Sequence, residues 1–174
     1  LCLPLALGVA GKPAAHDAAA HGPAQSLPEA LREASTHRGY WLLNIGFFVC
    51  GFHVAFIATH FPAYLDDKGL GLGIGASALA LIGLFNIFGS YVFGVGGDKR
   101  SKKHLLSFIY GGRAVVIALF LLLPLTKMSA LAFAAAMGFL WLGTVPLTSG
   151  LVGQMFGIRY LSTLYGIVFL SHQL

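Results

Sequence analysis

The sequence predicts an all-α protein, a polytopic bundle of transmembrane helices. Of its 174 residues, 57% are hydrophobic and only 10% are charged, whereas a typical soluble domain is about 25% charged. The apolar residues form several runs long enough to cross a hydrocarbon core of about 30 Å. The cations lie between these runs, so we interpret the net charge of +5 as a membrane-orientation signal and not as a nucleic-acid-binding patch.

The two ends of the chain are apolar. We expect residues 1–10 to be the end of a transmembrane helix, because they lack an initiating Met and the basic leading region of a signal peptide. The last run, residues 160–174, is still apolar near its end, so we interpret the chain as a fragment of a longer protein. Cys2 and Cys50 have no disulfide or zinc-ligand spacing, and we expect both to be packing residues.

Residues 11–38 are polar and rich in Ala and Pro, which is typical of a linker. Within it, Ser26 and Glu29 have the spacing of a capping box, and Pro28 lies between them. This pattern predicts a short helix over about residues 28–35. The linker histidines match no metal-ligand motif, so we expect no metal site there.

The first complete predicted span, residues 40–64, has no formal charge. At about 100° per residue, His53 and His60 fall on one face. An imidazole facing lipid is costly, so this face should meet protein or water. His53 is therefore a candidate for a substrate or proton path, and the alternative is an interhelical hydrogen bond.

The second span, residues 76–93, has a face of small residues. The residues on this face recur at spacings of three and four and are Ala76, Ala80, Gly83, Asn86, Ser90 and Gly94. Such a face predicts a tight crossing with another helix. Asn86 needs a partner inside the bundle, which is either another helix or a bound solute.

The third span, residues 104–123, contains Arg113 near its middle. A guanidinium at that depth costs at least about 2.5 kcal/mol on insertion scales. The possible reasons for its presence are an anionic substrate, pairing with backbone carbonyls, and extension of the side chain toward the interface.

The fourth span, residues 130–156, contains Pro146 in its interior, with Thr144 close by. Proline removes an amide donor, so we expect the Leu142 carbonyl to be unpaired and the helix to bend. The bend is either a gate beside a cavity or a static kink. In the final run, His172 is a second imidazole expected near mid-membrane.

The segment 94–103, GVGGDKRSKK, combines one carboxylate with four cations between two apolar spans. The segments on its side of the membrane hold three, four and one Lys or Arg, whereas the opposite turns hold only Lys68 and Lys127. Because positive charge favours the cytosolic side, we expect residues 11–38 and 94–103 to be cytosolic.

This hairpin resembles the signature of the major facilitator superfamily. The matching residues are Gly94, Asp98, Lys102 and Lys103, whereas Lys99 stands where Arg is usual and Ser101 where Gly is usual. The segments NIGFFVCGFHVAFIATHFPAYL and FGIRYLSTLYGIVFLSHQL are similar to bacterial relatives of the monocarboxylate and oxalate/formate carriers.

The resemblance implies part of the second six-helix half of that fold. Residues 1–10 would end the sixth span, residues 11–38 would form the central cytosolic loop, and residues 39–174 would extend from the seventh span into the eleventh. The implied function is secondary active transport of a small organic solute by rocking of two halves. A monocarboxylate or other organic anion moved with protons is the candidate cargo. The resemblance implies a cell (inner) membrane location, an N-terminal half as partner and no cofactor.

The resemblance also implies roles for individual residues. Spans seven, eight, ten and eleven border the cavity in this family, which favours His53, Asn86, Thr144 and His172 as solute or proton ligands over Arg113 of the ninth span. The expected gate and cytosolic latch comprise Gly94, Asp98, Lys99, Lys102, Lys103, Pro146 and Arg159, with Arg159 as the partner of Asp98.

Three alternatives stay open at this point. The protein is an exporter of drugs or other solutes, a membrane enzyme with a histidine-bound metal, or a membrane scaffold that transports nothing. The eighth span has no charged residue, although carboxylate carriers of this family often have one there or in the eleventh span. The identity of the solute is therefore open as well.

Overall fold

The computed structural model describes residues 25–173, and these residues are helical with no β-strand. The predicted all-α fold is confirmed. The predictions for residues 1–10 and 11–24 lie outside the described residues. The helices are α1 (Leu27–Thr36), α2 (Arg38–Asp67), α3 (Leu72–Lys99), α4 (Lys102–Leu122), α5 (Lys127–Phe139), α6 (Thr144–Phe156) and α7 (Leu161–Gln173).

Four helical stretches of the described residues are long and apolar enough to cross a membrane. They are α2, α3, α4 and the segment Lys127–Phe156, which consists of α5 and α6 with a break between them. Helices α2 and α3 extend beyond the predicted spans 40–64 and 76–93. The predicted hairpin 94–103 is correspondingly shorter, because α3 continues to Lys99 and only Arg100 and Ser101 join it to α4.

The short helix α1 lies at the start of α2. The Glu29 carboxylate accepts hydrogen bonds from the Ser26 amide at 2.7 Å and the Ser26 hydroxyl at 2.8 Å. The backbone hydrogen bond from Ser26 is the main cause that lowers the pKa of Glu29 below its usual value. On its other side α1 buries Ala34, and the Trp41 indole donates to the Ser35 carbonyl at 2.8 Å. The last part of the predicted linker is thus helical and packed against the bundle.

Glycines determine how closely the long helices approach one another. A Cβ at Gly51 of α2 would overlap the His172 carbonyl of α7, and one at Gly89 of α3 would overlap the Phe139 carbonyl at the end of α5. A Cβ at Gly138 of α5 would likewise overlap the backbone of α3 at Ile82. The α2–α7 and α3–α5 pairs are therefore in backbone contact, which only glycine permits at these positions.

Among the described residues, the predicted small face of α3 does not form the expected tight crossing, and only its Asn86 bonds another helical stretch, at the Leu142 amide. Ala76, Ala80 and Gly83 are exposed, and a Cβ at Gly94 would meet nothing within 4 Å among the described residues. The buried face is instead Gly75, Ala78, Ile82, Gly89, Phe93 and Gly97. Burial of this face is more favourable because it removes the large side chains of Ile82 and Phe93 from the surface, and its glycines allow close contact between backbones.

We predict that Gly89→Ala destabilises the purified complete protein, whereas Gly111→Ala does not. The first Cβ would enter the space of the Phe139 carbonyl, and the second would meet nothing within 4 Å. Overpacking of this kind costs about 1–3 kcal/mol. Thermal unfolding in detergent measures the difference, and equal melting temperatures for the two variants would show that the α3–α5 crossing is not tight.

Candidate functional site

The fourth membrane-spanning stretch is discontinuous. Helix α5 ends at Phe139, α6 begins at Thr144, and residues 140–143 between them are not helical. Pro146 is the third residue of α6, where a missing amide proton costs little because first-turn amides have no intrahelical partner. The expected unpaired carbonyl at Leu142 is wrong, since the Val145 amide donates to it at 3.0 Å.

Two backbone carbonyls of the break, those of Leu140 and Trp141, accept hydrogen bonds from Arg113 of α4. Arg113 Nε donates to the Leu140 carbonyl at 3.0 Å and Nη2 donates to the same oxygen at 2.7 Å. Nη2 also donates to the Trp141 carbonyl. The side chain is 1% exposed. Of the three possible reasons for Arg113 at this depth, the structure therefore shows pairing with backbone carbonyls.

Cys50 connects the same site to α2. Its sulfur accepts from Arg113 Nη1 at 3.0 Å and lies 3.5 Å from the Thr144 hydroxyl. The thiol is fully buried, so Cys50 does pack, but it also binds a charged group. The only signal for this in the sequence is depth, since Cys50 and Arg113 both lie near the middle of a membrane span.

Asn86 of α3 binds a backbone amide of the break. Its Oδ1 accepts from the Leu142 amide at 3.0 Å and from the Ser90 hydroxyl at 3.4 Å. A backbone amide that leaves a helix inside a membrane needs such an acceptor. Asn86, Arg113 and Thr144, which the sequence places on three different spans, thus meet at the break.

No carboxylate balances the charge of Arg113 within residues 25–173. The acids in this range are all exposed and lie at helix ends or in α1: Glu29, Glu33, Asp66, Asp67 and Asp98. Carbonyl and thiol groups supply partial charges only. The centre of the described bundle therefore has a buried positive charge that no carboxylate of residues 25–173 neutralises.

The two candidate histidines lie in different surroundings. His53 lines a cavity of about 500 Å³ between α2 and α4, whose walls are mostly aromatic and which His60 also lines. His172 packs against Phe47, with 4.7 Å between ring centroids, and its backbone meets α2 at Gly51.

Some buried polar atoms have no hydrogen-bond partner in the described part of the chain. They are His53 Nδ1, Thr148 Oγ1, the Tyr165 hydroxyl and His172 Nε2. Buried polar atoms are nearly always satisfied in native proteins, so each of these is a candidate for a contact outside residues 25–173. The same residues contain no group of three or more His, Cys, Asp or Glu side chains placed to hold a metal ion.

The predicted latch residues lie at the hairpin end of the bundle. Asp98, Lys99, Lys103 and Arg159 are exposed, and Asp98 and Arg159 form no ion pair in this structure; the Arg159 guanidinium lies 5.4 Å from the ring centroid of Tyr160. The Asp98–Arg159 latch stays a prediction.

Lys102 differs from the other hairpin cations because it is partly buried. Its ammonium donates to the Gly97 carbonyl at 2.7 Å, near the end of α3. A Cβ at Gly150 of α6 would overlap the Lys102 side chain. Lys102 thus crosses between α3 and α6, and it caps a helix end instead of extending toward the lipid.

Comparison with known families assigns the chain. The family model described as Major Facilitator Superfamily matches residues 1–174. The chain belongs to the major facilitator superfamily. As a member it is part of a multi-pass membrane transporter family, which is consistent with the hydropathy of its four long helical stretches.

Similar proteins include two uncharacterised MFS-type transporters. YhjX of Escherichia coli (strain K12) is 26% identical over 81% of this chain and 35% of its own length. YcxA of Bacillus subtilis (strain 168) is 25% identical over 87% of this chain and 40% of its own. The oxalate:formate antiporter of Oxalobacter formigenes is 27% identical over 73% and 31%. The chain thus spans well under half of these curated relatives, and no solved structure matches it.

We predict that Asn86→Ala lowers the stability of the complete protein by about 1–3 kcal/mol, because the Leu142 amide would lose its acceptor in a water-poor site. Ser77→Ala is the matched control: it also removes a side-chain hydrogen bond from α3, but Ser77 is exposed and bonds only the local Gly73 carbonyl. Thermal unfolding compares the two variants. If both melt like the parent protein, Asn86 does not hold the break.

Proposed function

We propose that this chain is the second half of a secondary active transporter that moves a small organic anion across the cell (inner) membrane by alternating access. The observation that carries the proposal is the buried guanidinium of Arg113, which no carboxylate of residues 25–173 neutralises. The partners of the chain in this proposal are the N-terminal half, the lipid bilayer, the solute and a co-transported proton.

The charge of Arg113 favours an anionic solute through its electric field. At about 10 Å and an effective dielectric constant of about 20, one charge stabilises an opposite charge by about 1.7 kcal/mol. Water screens this field much less at mid-membrane than at the surface. Because Arg113 is 1% exposed and its donors bind the break, it acts on the solute from a distance and not as a direct ligand.

The direct ligands are better sought among the histidines. Thr144 is fully buried and Asn86 is bonded at the break, so both act as supports of the discontinuous helix in this proposal. His53 and His172 are partly exposed, and each has a ring nitrogen without a partner among the described residues. Imidazole changes charge near neutral pH and so suits a proton or anion ligand.

A relative supports the class of solute. By its name, the similar protein of Oxalobacter formigenes exchanges oxalate and formate, both of which are small carboxylates. The 27% identity covers 73% of this chain. A small carboxylate is therefore the first solute to test here, both in exchange and in proton-driven uptake.

The cytosolic latch is part of the same proposal. The exposed carboxylate of Asp98 and the exposed guanidinium of Arg159 are both free to change partners as the two halves move. We propose that they pair in the state in which the cytosolic side is closed. Lys102, which already joins α3 to α6, keeps the hairpin attached to its own half.

We predict that Arg113→Gln lowers carboxylate uptake by about tenfold or more, because about 1.4 kcal/mol of lost attraction is a factor of ten. Arg113→Lys keeps the charge and should lose less. Radiolabelled formate and oxalate uptake into proteoliposomes with the complete protein measures the effect. Lys127→Gln, which removes a charge from the opposite turn, is the control. Uptake by Arg113→Gln at the parent rate would contradict the proposal.

We predict that replacing His53 or His172 by Ala flattens the pH dependence of uptake between about pH 5 and 8, the range in which imidazole titrates. His60→Ala is the control, because His60 lies two turns from His53 and lines the same cavity. Initial uptake rates across that pH range give the profile. If both variants keep the profile of the parent protein, neither histidine carries the proton.

A further inference from the structure

A second cavity extends from the hairpin along α3 and α4 to Phe139, the last residue of α5. Helices α3 and α4 are joined by a two-residue turn, and between them lies a cavity of about 740 Å³. Phe139 of α5 also lines it. Two apolar residues that line the cavity are also exposed at the surface of the bundle: Val92 is 49% and Phe108 is 63% exposed. The cavity is therefore accessible from the side of the bundle that α3 and α4 form.

The polar and apolar groups of this cavity are separated along its length. Arg100, Ser101 and His104 lie at the turn and are exposed. About one to two helical turns away, toward the middle of the two helices, the lining is Val92, Phe93 and Phe108. A ligand that matches this division has a charged or polar end at the membrane interface and a hydrocarbon chain inside the membrane.

The charge at the polar end specifies the sign of the ligand. Residues 98–104 contain four Lys or Arg and only one acid, Asp98, which does not line the cavity. The Arg100 guanidinium offers a fork of donors that fits phosphate oxygens, and Ser101 and His104 add further donors. The cytosolic leaflet, which this hairpin is expected to face, is rich in anionic lipid.

We propose that this cavity binds an anionic phospholipid. The phosphate lies against Arg100, Ser101 and His104, and an acyl chain lies along Val92, Phe93 and Phe108. The site shares no lining residue with the cavity of His53, so the proposal stands whatever solute the transporter carries. It attaches a specific lipid to the hairpin that joins α3 and α4.

Gly96 offers a way to block the chain end of the cavity without changing its charge. Gly96 lines the cavity, and a Cβ there would meet only the Leu105 side chain, at an ordinary 3.6 Å. A phenylalanine at this position has room for its first atom and would fill the space of the acyl chain. The substitution therefore separates lipid binding from binding of a free phosphate, which needs only the polar end.

Native mass spectrometry of the complete protein tests the proposal. The protein is mixed with equal amounts of phosphatidylglycerol and phosphatidylethanolamine in a mild detergent, and the lipids that stay bound are counted. We expect preferential retention of phosphatidylglycerol by the parent protein. Arg100→Gln combined with His104→Gln should lower that retention about tenfold, the effect of about 1.4 kcal/mol, and Gly96→Phe should lower it as well.

Lys103→Gln is the matched control, because it removes a charge from the same turn but from outside the cavity. It should retain phosphatidylglycerol like the parent protein. Equal retention by all variants, or an equal loss in Lys103→Gln, would overturn the proposal in favour of diffuse attraction to the leaflet. A loss in Arg100→Gln/His104→Gln but not in Gly96→Phe, together with binding of inorganic phosphate by both the parent and Gly96→Phe, would overturn it in favour of a free phosphate site. Thermal unfolding of each variant shows that the fold is retained.

Discussion

The hydrogen bonds from Arg113 to the carbonyls of Leu140 and Trp141 are the interaction on which the centre of this structure depends. A guanidinium at mid-membrane is tolerated only when acceptors surround it. A helix broken at the same depth is tolerated only when donors satisfy its freed carbonyls. Each of these two costly features supplies what the other lacks, and neither is expected to persist alone.

The surrounding helices complete this arrangement. Cys50 brings α2 to the guanidinium, and Asn86 brings α3 to the amide side of the break. The discontinuous stretch of α5 and α6 is thus held by side chains from the three preceding spans. The contact between α3 and α5 is of another kind, since these helices meet through glycines with their backbones in contact.

This difference in packing suggests where the fold can move. Backbone contacts at glycine crossings have little freedom, because any rotation of the helices makes atoms overlap. Hydrogen bonds between side chains and the break can exchange for others without such overlap. The break is therefore the better candidate for a change in shape during transport, whereas the α2–α7 and α3–α5 crossings are expected to stay fixed.

The number and approximate position of the membrane spans can be predicted from the sequence, because they depend on the length, hydropathy and charge of each segment. Length and hydropathy are enough to predict apolar spans, and charge is enough to predict the turns between them. The face that a helix buries is harder to predict. Helix α3 has small residues on two faces, and the buried one is the face that also carries Ile82 and Phe93. The site is harder still to predict. The sequence places Cys50 and Arg113 at a similar depth in the membrane, but it does not show that they face each other. It also does not show that the helix breaks at residues 140–143, before Pro146.

An experimental structure of the complete protein with a small carboxylate bound tests the central claim most directly. Arg113 should remain bonded to the carbonyls of Leu140 and Trp141, with no Asp or Glu from any part of the protein within hydrogen-bonding distance of it. The carboxylate should lie near His53 or His172. A carboxylate side chain of the other half paired with Arg113, or an unbroken helix over residues 127–156, would contradict the claim.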